Sequence, residues 1–317
     1  MALAVTRRLH CDGALQAVAL DGSGGALAVS TVGDAQHVTR WHGAQMLWQR
    51  PISAPRRAQC MLQGGCAVVI AGGYSEDIVH VFDAAGETVC VQSFETCALE
   101  WVALEPVVED ALEPTSASAS PEASPLEALV LGASGGQPRR LDVRTGQWRE
   151  RKRRASRRDP VEAFAIAPSG RRKALAAGGQ IKITSIPEMP RRGKSIHGGP
   201  LMAFTPDDEL LVWRREDPST WGPTLSRWQL RSKVPRWIQQ GPWPDPVVAV
   251  AALAEQVVVI CEGPERSGLL TLRGHTGQIM ERIALPEGGP WRLSAPPGGE
   301  CIAVWAPAHP ILVLSNL

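Results

Sequence analysis

The chain has 317 residues, 44% of them hydrophobic, and a formal net charge of +1. A charge so close to zero excludes a global attraction for nucleic acid or for anionic membranes. No apolar run approaches the length of about 18 residues that a membrane-spanning helix needs, and the first residues lack the apolar core of a secretory signal. We therefore expect a cytoplasmic protein.

Short apolar runs separated by turn residues recur along the chain and predict β-strands in repeated units of four. A first strand, 3–9, precedes the first unit. The first four units are predicted at 15–20, 26–31, 36–41 and 45–50; 58–62, 66–71, 78–83 and 87–92; 99–104, 127–132, 138–143 and 147–152; and 161–167, 172–177, 180–185 and 193–197. The later units are predicted at 200–204, 209–214, 224–230 and 235–239; 247–252, 256–261, 267–272 and 278–284; and 290–294, 300–305 and 310–314.

Turn residues recur at the same two positions of the unit. Asp21–Gly25, Gln63–Gly65 and Pro168–Gly170 lie between first and second strands, whereas Asp83–Gly86 and Arg273–Gly277 lie between third and fourth strands. These segments are typical of hairpin turns, with Gly where the backbone needs a positive φ. Their regular placement indicates an internal repeat.

The length of the repeat identifies the architecture. Seven units in 317 residues give about 45 residues each, the length of one four-stranded propeller blade. The seventh unit lacks a strand, and strand 3–9 beside 310–314 would complete it and cover its exposed edge. We predict one all-β domain, 1–317, folded as a closed seven-bladed β-propeller. An open six-bladed ring, with an apolar edge left at 310–314, is the alternative.

Two phrases resemble a known family. Ala165-Ile-Ala-Pro-Ser-Gly170 and Val79-His-Val-Phe-Asp83 resemble the first-strand and third-strand signatures of WD40 repeats. The chain therefore resembles a divergent WD40-type propeller over its whole length. No third strand ends in Trp-Asp, and Gly274-His275 lies in a turn rather than at the start of a unit, so the buried polar network of that family is not carried over. The resemblance implies a scaffold for protein assembly.

Two segments interrupt the repeat. Residues 105–125 are acidic and rich in Ser, Ala and Pro, which predicts a disordered insertion within the third blade or a tether that orders on a partner. Residues 149–158, RERKRRASRR, carry seven basic side chains. Such a run is typical of a solvated face or a site for an acidic partner, and nucleic acid is a less favoured ligand because aromatic residues are not interleaved.

Tryptophan is unusually frequent, with 11 Trp against 4 Phe and 1 Tyr. Trp213 and Trp228 lie in predicted strands, where we expect packing within or between blades. Trp221 and Trp243 lie in proline-containing loops. A tryptophan of that kind either caps a blade or stands exposed as an anchor for a partner.

The sequence contains no recognisable catalytic or metal-binding motif, and we expect no cofactor. A propeller hydrolase or lyase with a site in the central channel remains an alternative, for which Asp159, Asp245 and His197 are the candidate residues. His37 and His80 lie in third strands and are expected to be packed or exposed to solvent. The seven cysteines are an odd number, mostly within apolar runs, and are expected to be reduced thiols in a bacterial cytoplasm.

Propeller topology places the candidate binding residues on one face. Loops between second and third strands emerge on the same side as loops between blades, and the insertion emerges on the opposite side. The shared face would hold Trp221, Trp243, Arg153, Arg154, Arg157 and Arg158. We expect a non-catalytic interaction scaffold or regulatory subunit, monomeric on its own, whose Trp and Arg side chains bind an acidic protein surface.

Overall fold

A computed structural model describes most of the chain. The described residues are 3–52, 57–63, 65–72, 76–95, 99–106, 126–132, 139–143, 147–149, 161–169, 171–185, 194–199, 201–217, 222–230, 234–241, 243, 246–263, 267–296 and 298–316.

The described residues form 28 β-strands and no helix. The first fourteen are β1 Leu3–Leu9, β2 Ala14–Leu20, β3 Gly25–Val32, β4 Ala35–His42, β5 Gln45–Ile52, β6 Arg57–Gln63, β7 Cys66–Gly72, β8 Glu76–Phe82, β9 Thr88–Glu95, β10 Leu99–Pro106, β11 Leu126–Gly132, β12 Arg139–Asp142, β13 Trp148–Arg149 and β14 Val161–Ile166. The others are β15 Arg172–Ala177, β16 Gln180–Ser185, β17 Lys194–His197, β18 Met202–Phe204, β19 Leu210–Asp217, β20 Gly222–Gln229, β21 Val234–Gln240, β22 Val247–Ala252, β23 Gln256–Glu262, β24 Ser267–Arg273, β25 Ile279–Ala284, β26 Arg292–Ser294, β27 Cys301–Trp305 and β28 Ile311–Asn316.

These strands form seven antiparallel four-stranded sheets. Sheets 1 to 6 each take four consecutive strands, beginning with β2, β6, β10, β14, β18 and β22, and sheet 7 has the order β26-β27-β28-β1. From sheet 1 to sheet 7, the first strand of each sheet contacts the first strand of the next. The chain is therefore an all-β propeller, which agrees with the WD40 resemblance at the level of the fold. Within the described residues, each predicted strand overlaps an observed strand whose bounds agree to within a few residues.

The N-terminal strand completes sheet 7. β1 pairs antiparallel with β28, from Leu3 opposite Asn316 to Leu9 opposite Ile311. Leu3 and Leu9 are both buried. The prediction that strand 3–9 lies beside the last strand is confirmed.

Burial decreases from the inner to the outer strands of a sheet. Second strands such as β7, CAVVIAG, and β23, QVVVICE, are almost continuously apolar because neighbouring sheets cover both of their faces. The fourth strand β25 is exposed along nearly all its length. The core lies between sheets: Leu27 and Val29 of β3, for example, belong to one apolar cluster with Ala67 and Val69 of β7.

Four first strands carry a β-bulge near their start. The pairing register shifts around Gln16 in β2, Glu100 in β10, Glu162 in β14 and Val248 in β22. A bulge inserts one extra residue and increases the local twist of the strand. Its recurrence at one position shows that the repeat extends to backbone detail.

Several predicted boundaries differ from the structure. The first strand of the seventh unit was predicted at 290–294 but begins at Arg292, because the Trp291 N–H is donated to the Glu262 carboxylate instead of a neighbouring strand. β10 extends to Pro106, so two residues of the predicted insertion are strand. The remainder, 107–125, lies outside the described residues.

One hairpin turn places a non-glycine residue at positive φ. Asp208, between β18 and β19, has a φ of 60°. Its carboxylate accepts hydrogen bonds from the Ser169 N–H, at 3.2 Å, and from the Ser169 hydroxyl in the corresponding turn of sheet 4. Asp tolerates this conformation better than most residues. The turn therefore combines a small conformational penalty at Asp208 with hydrogen bonds that link sheet 5 to sheet 4.

No disulfide links the six cysteines that the structure describes; Cys97 lies outside that part of the chain. Burial raises the pKa of the Cys60 and Cys90 thiols, and raises that of Cys11 to about 12. Thiols held in the protonated form are poor nucleophiles and poor metal ligands.

Within the described residues there is no helix of the length and apolarity needed to cross a bilayer.

Candidate interaction faces

Strand order divides the protein surface into two faces. The turn face carries the hairpin turns that join first to second strands and third to fourth strands. The loop face carries the connections between second and third strands and those between sheets. Because the strands of each sheet are antiparallel neighbours in chain order, these two sets of connections lie at opposite ends of the strands.

On the loop face, Trp243 is the predicted site residue that the structure describes. It lies between β21 and β22 and is partly buried. Its ring meets Trp213 edge-on, with 5.0 Å between the ring centroids and 87° between the planes. It packs against an apolar cluster shared by sheets 5 and 6. Trp243 therefore packs at the sheet junction while the residue as a whole stays partly exposed.

The same sequence motif occurs one sheet further along the chain. Gly289-Pro290-Trp291 repeats Gly241-Pro242-Trp243 in the next connection between sheets. Trp291 is only 2% exposed, and its indole N–H donates to the Pro286 carbonyl at 3.1 Å. The His309 ring stacks on it, with 4.9 Å between centroids. Trp291 is thus a buried cap.

Sequence reasoning missed this cap because it assigned Trp291 to a strand. The signal that could have found it is the repeated Gly-Pro-Trp motif after two consecutive fourth strands. The other predicted partner-binding residues lie outside the described residues: Trp221, Arg153, Arg154, Arg157 and Arg158. Trp213 and Trp228 pack at sheet junctions, as predicted.

The candidate residues for a channel site are not brought together in the described part of the chain. His197 ends β17 with an exposed side chain, and its backbone carbonyl accepts a hydrogen bond from Arg214. Asp159 and Asp245 lie outside the described residues. No group of three His, Cys, Asp or Glu side chains within reach of one metal ion occurs among the residues that are described.

His80 lies in β8 and is buried, with its ring stacked on Phe82 at a centroid distance of 6.1 Å. Its Nε2 has no hydrogen-bond partner among the described residues. Burial lowers the pKa of this imidazole because the charged form loses solvation. His37 is partly exposed in β4. The two histidines are thus packed or solvent-facing, as expected.

We expect His80 to weaken folding in mild acid. The unfolded chain takes up a proton near pH 6.5, the ordinary histidine pKa, whereas the folded chain does not, so stability falls as the pH decreases below about 6.5. In urea unfolding at pH 7.5 and at pH 5.5, His80→Leu should lose less stability between the two pH values than the wild type. His42→Leu, an exposed change at the end of β4, is the control. An unchanged pH dependence in His80→Leu would contradict the assignment.

On the turn face, a buried arginine joins sheets 5 and 6. The Arg227 side chain in β20 is 8% exposed. Its Nε donates to Glu209 at 2.5 Å, its Nη2 to both Asp207 oxygens at 2.7 and 2.8 Å, and its Nη1 to the Gly274 carbonyl at 2.7 Å. Glu209 also accepts from Arg236 Nε at 3.0 Å. The burial of Arg227 is thus matched by two carboxylates and a carbonyl.

A tryptophan reinforces the same contact. Trp237 in β21 donates its indole N–H to the Gly274 carbonyl at 2.8 Å. Its ring lies against Gly277, where a Cβ atom would stand 2.6 Å from the ring. We name this pairing the Arg–Trp clasp: an arginine of a third strand and a tryptophan of the paired fourth strand hold one turn carbonyl of the next sheet.

A second clasp joins sheets 1 and 2. Arg40 in β4 donates to the carbonyls of Gly65, at 2.8 Å, and Ala84, at 3.3 Å. Trp48 in β5 donates to the same Ala84 carbonyl at 3.2 Å, and its ring lies against Gly86. The clasp is therefore a repeated device of the turn face that sequence reasoning missed.

Comparisons with known proteins add no identification. The chain matches no model of a known protein family, and it matches no curated protein.

Proposed function

We propose that the chain is a closed seven-bladed propeller that serves as a non-catalytic protein-interaction scaffold or regulatory subunit. Closure is supported by the contacts of β2 with both β26 and β27, which bring sheet 1 against sheet 7. It is supported further by the pairing of β1 with β28 and by Arg7 in β1, which donates to the carbonyls of Gly24 at 2.6 Å and Gly43 at 3.2 Å in sheet 1.

The proposed binding surface is the loop face, with Trp221 and Trp243 as anchors. The observation that carries this proposal is the contrast between the two Gly-Pro-Trp loops. Trp291 is fully buried with its indole N–H bonded, whereas Trp243 is partly exposed, and its buried Nε1 has no hydrogen-bond partner among the described residues. A cap that needs only packing would be buried as Trp291 is. The exposed part of Trp243 therefore favours contact with a partner.

The proposed partner is a protein with an acidic surface. The sequence places Arg153, Arg154, Arg157 and Arg158 between the last strand of sheet 3 and the first strand of sheet 4, so we expect them on the loop face. Arginine close to tryptophan is the composition typical of energetically dominant interface residues. Charges at the rim of an interface mainly accelerate association, so the four arginines are expected to guide an acidic partner toward the anchors.

The test is capture of partners by the purified full-length chain from an extract of its native host. Trp221→Ala should weaken capture by about 2 kcal/mol or more, the typical effect of removing an interface anchor. Changing the four arginines to glutamate should slow association and remove its strengthening at low salt. Trp243→Ala is a poor probe because it also removes packing against Trp213, so Trp243→Phe is preferred.

Arg171→Gln on the turn face is the matched control and should leave capture unchanged. Retention of all bound proteins by both Trp221→Ala and the fourfold arginine variant would contradict the proposal. If the captured material is nucleic acid whose binding weakens steeply with salt, the basic run binds phosphates and the protein-scaffold assignment is wrong.

A further inference from the structure

We propose a second binding site, on the turn face between sheets 5 and 6, that takes an acidic peptide segment carrying an apolar side chain. A surface cavity of about 450 Å³ lies there, and the residues that line it include Arg273, His275, Met280, Glu255 and Arg227. Its volume falls in the range of about 300 to 1,000 Å³ that is typical of ligand sites. It lies at the opposite end of the strands from the surface proposed above, so it extends the proposed function to a second partner segment.

Hydrogen bonds from two sheets hold the backbone of the turn that lines the cavity. Arg227 and Trp237 both hold the Gly274 carbonyl, and the Gly274 N–H donates to the Glu255 carbonyl at 2.7 Å. Within the turn, the Gly277 N–H donates to the Arg273 carbonyl at 2.8 Å. The side chains displayed on this turn therefore bind with little loss of backbone freedom.

A comparison of this turn with the equivalent turn of sheet 2 shows which of its side chains are not required for the clasp. There, Ala84 provides the clasped carbonyl, as Gly274 does in sheet 6, and Asp83 stands where Arg273 stands. Asp83 has a structural role, since its carboxylate accepts from the Ala85 N–H at 2.9 Å and the Glu87 N–H at 2.8 Å.

In sheet 6 that role falls to Thr276, whose hydroxyl oxygen accepts from the Gln278 N–H at 3.3 Å. Arg273 and His275 are exposed and form no ion pair or side-chain hydrogen bond within the described residues. The turn thus carries two basic side chains that do not contribute hydrogen bonds or ion pairs to its own conformation.

The residues that line the cavity indicate which class of ligand it can bind. Arg227 is neutralised by Asp207 and Glu209, so the groups left to bind a carboxylate are Arg273 and His275. Met280, 39% exposed on β25, offers apolar surface at the same cavity. The Glu255 carboxylate on the rim would repel a simple anion but can accept a backbone N–H. A peptide supplies all three groups: an acidic side chain, an apolar side chain and a backbone donor.

The experiment uses the full-length protein and a dye-labelled synthetic peptide of alternating glutamate and leucine, followed by fluorescence anisotropy. The matched probe replaces every glutamate by glutamine. We expect the acidic peptide to bind at least about tenfold more tightly than the glutamine peptide. The double change Arg273→Asp and His275→Ala, which imitates the sheet 2 turn, should reduce its affinity by at least about tenfold. The melting temperature should be unchanged because the clasp remains.

Arg171→Gln, another exposed arginine of the turn face, should bind the acidic peptide as the wild type does. Equal affinity for the two peptides, or an unaltered affinity in the double variant, overturns the proposal. So does complete displacement of the peptide by acetate or inorganic phosphate at millimolar concentration, which would make the cavity a small-anion site. Loss of this binding with intact partner capture by the loop face leaves the proposed scaffold function standing, so the two failures are distinguishable.

Discussion

Deleting residues 1–9 is expected to convert the protein from a stable fold to an aggregating one. β1 is the outer strand of sheet 7, and its removal exposes the full edge of β28. It also removes two buried leucines, Leu3 and Leu9, each worth about 2 to 5 kcal/mol when truncated. The hydrogen bonds from Arg7 to the turns of sheet 1 are lost as well. Together these losses are comparable to the about 5 to 15 kcal/mol by which most proteins are stable.

The measurement is the melting temperature together with light scattering after size-exclusion chromatography. Deletion of residues 1 and 2 alone is the control and should have no effect on either. A synthetic peptide of residues 1–12 added to the truncated chain should restore solubility, because a free strand can pair with an exposed sheet edge. A truncated chain that stays monomeric and melts as the full-length chain does would show that β1 contributes little.

The positions of the strands could be predicted because local patterns determine them. Strand 3–9 was predicted with the bounds that the structure has, since an apolar run without a unit stood opposite a unit without a fourth strand. The hairpin turns could also be predicted, because Gly and Asp recur at the positions where the backbone reverses its direction. Asp208 is the instructive case: it takes a positive φ without being Gly, and the reason lies in Ser169 of another sheet.

The contacts between sheets could not be predicted in the same way. The predicted strand position of Arg227 does not show that its side chain is buried, because burial depends on which turn of the next sheet covers the strand. A weak signal did exist. Arg40 and Trp48, like Arg227 and Trp237, are an arginine of a third strand followed by a tryptophan of the fourth, and both pairs form clasps.

The role of the candidate binding residues could not be predicted from the sequence either. The loop position of Trp243 was predicted, but a loop position does not decide between a cap and an anchor. The structure places its ring against Trp213, and Trp291 shows how the same motif behaves when it is only a cap. Whether a side chain faces a neighbouring sheet or a partner depends on the arrangement of the sheets, which short-range patterns do not encode.

Arg227→Met is expected to be the most destabilising single substitution among the clasp residues. It leaves the Glu209 carboxylate, 7% exposed, with Arg236 as its remaining basic partner, and it removes the arginine from the Gly274 carbonyl. Breaking a buried ion pair by removing one partner costs about 3 to 5 kcal/mol, because the other charge stays buried. The measurement is the urea midpoint and the derived free energy of unfolding.

Arg40→Met is the matched control, at the equivalent position of sheet 1. Arg40 is held by the Gly65 and Ala84 carbonyls, so its removal leaves no buried carboxylate from the pairs described and should cost only about 1 kcal/mol. The decisive comparison is the double variant Arg227→Met with Glu209→Gln. Removing the buried charge together with its partner should restore part of the stability that Arg227→Met loses, giving a coupling energy of about 1 to 3 kcal/mol. The stability losses of Arg227→Met and Glu209→Gln could instead simply add in the double variant, or Arg40→Met could be as unstable as Arg227→Met. Either result would show that packing of the arginine stem, and not compensation of buried charge, holds sheets 5 and 6 together.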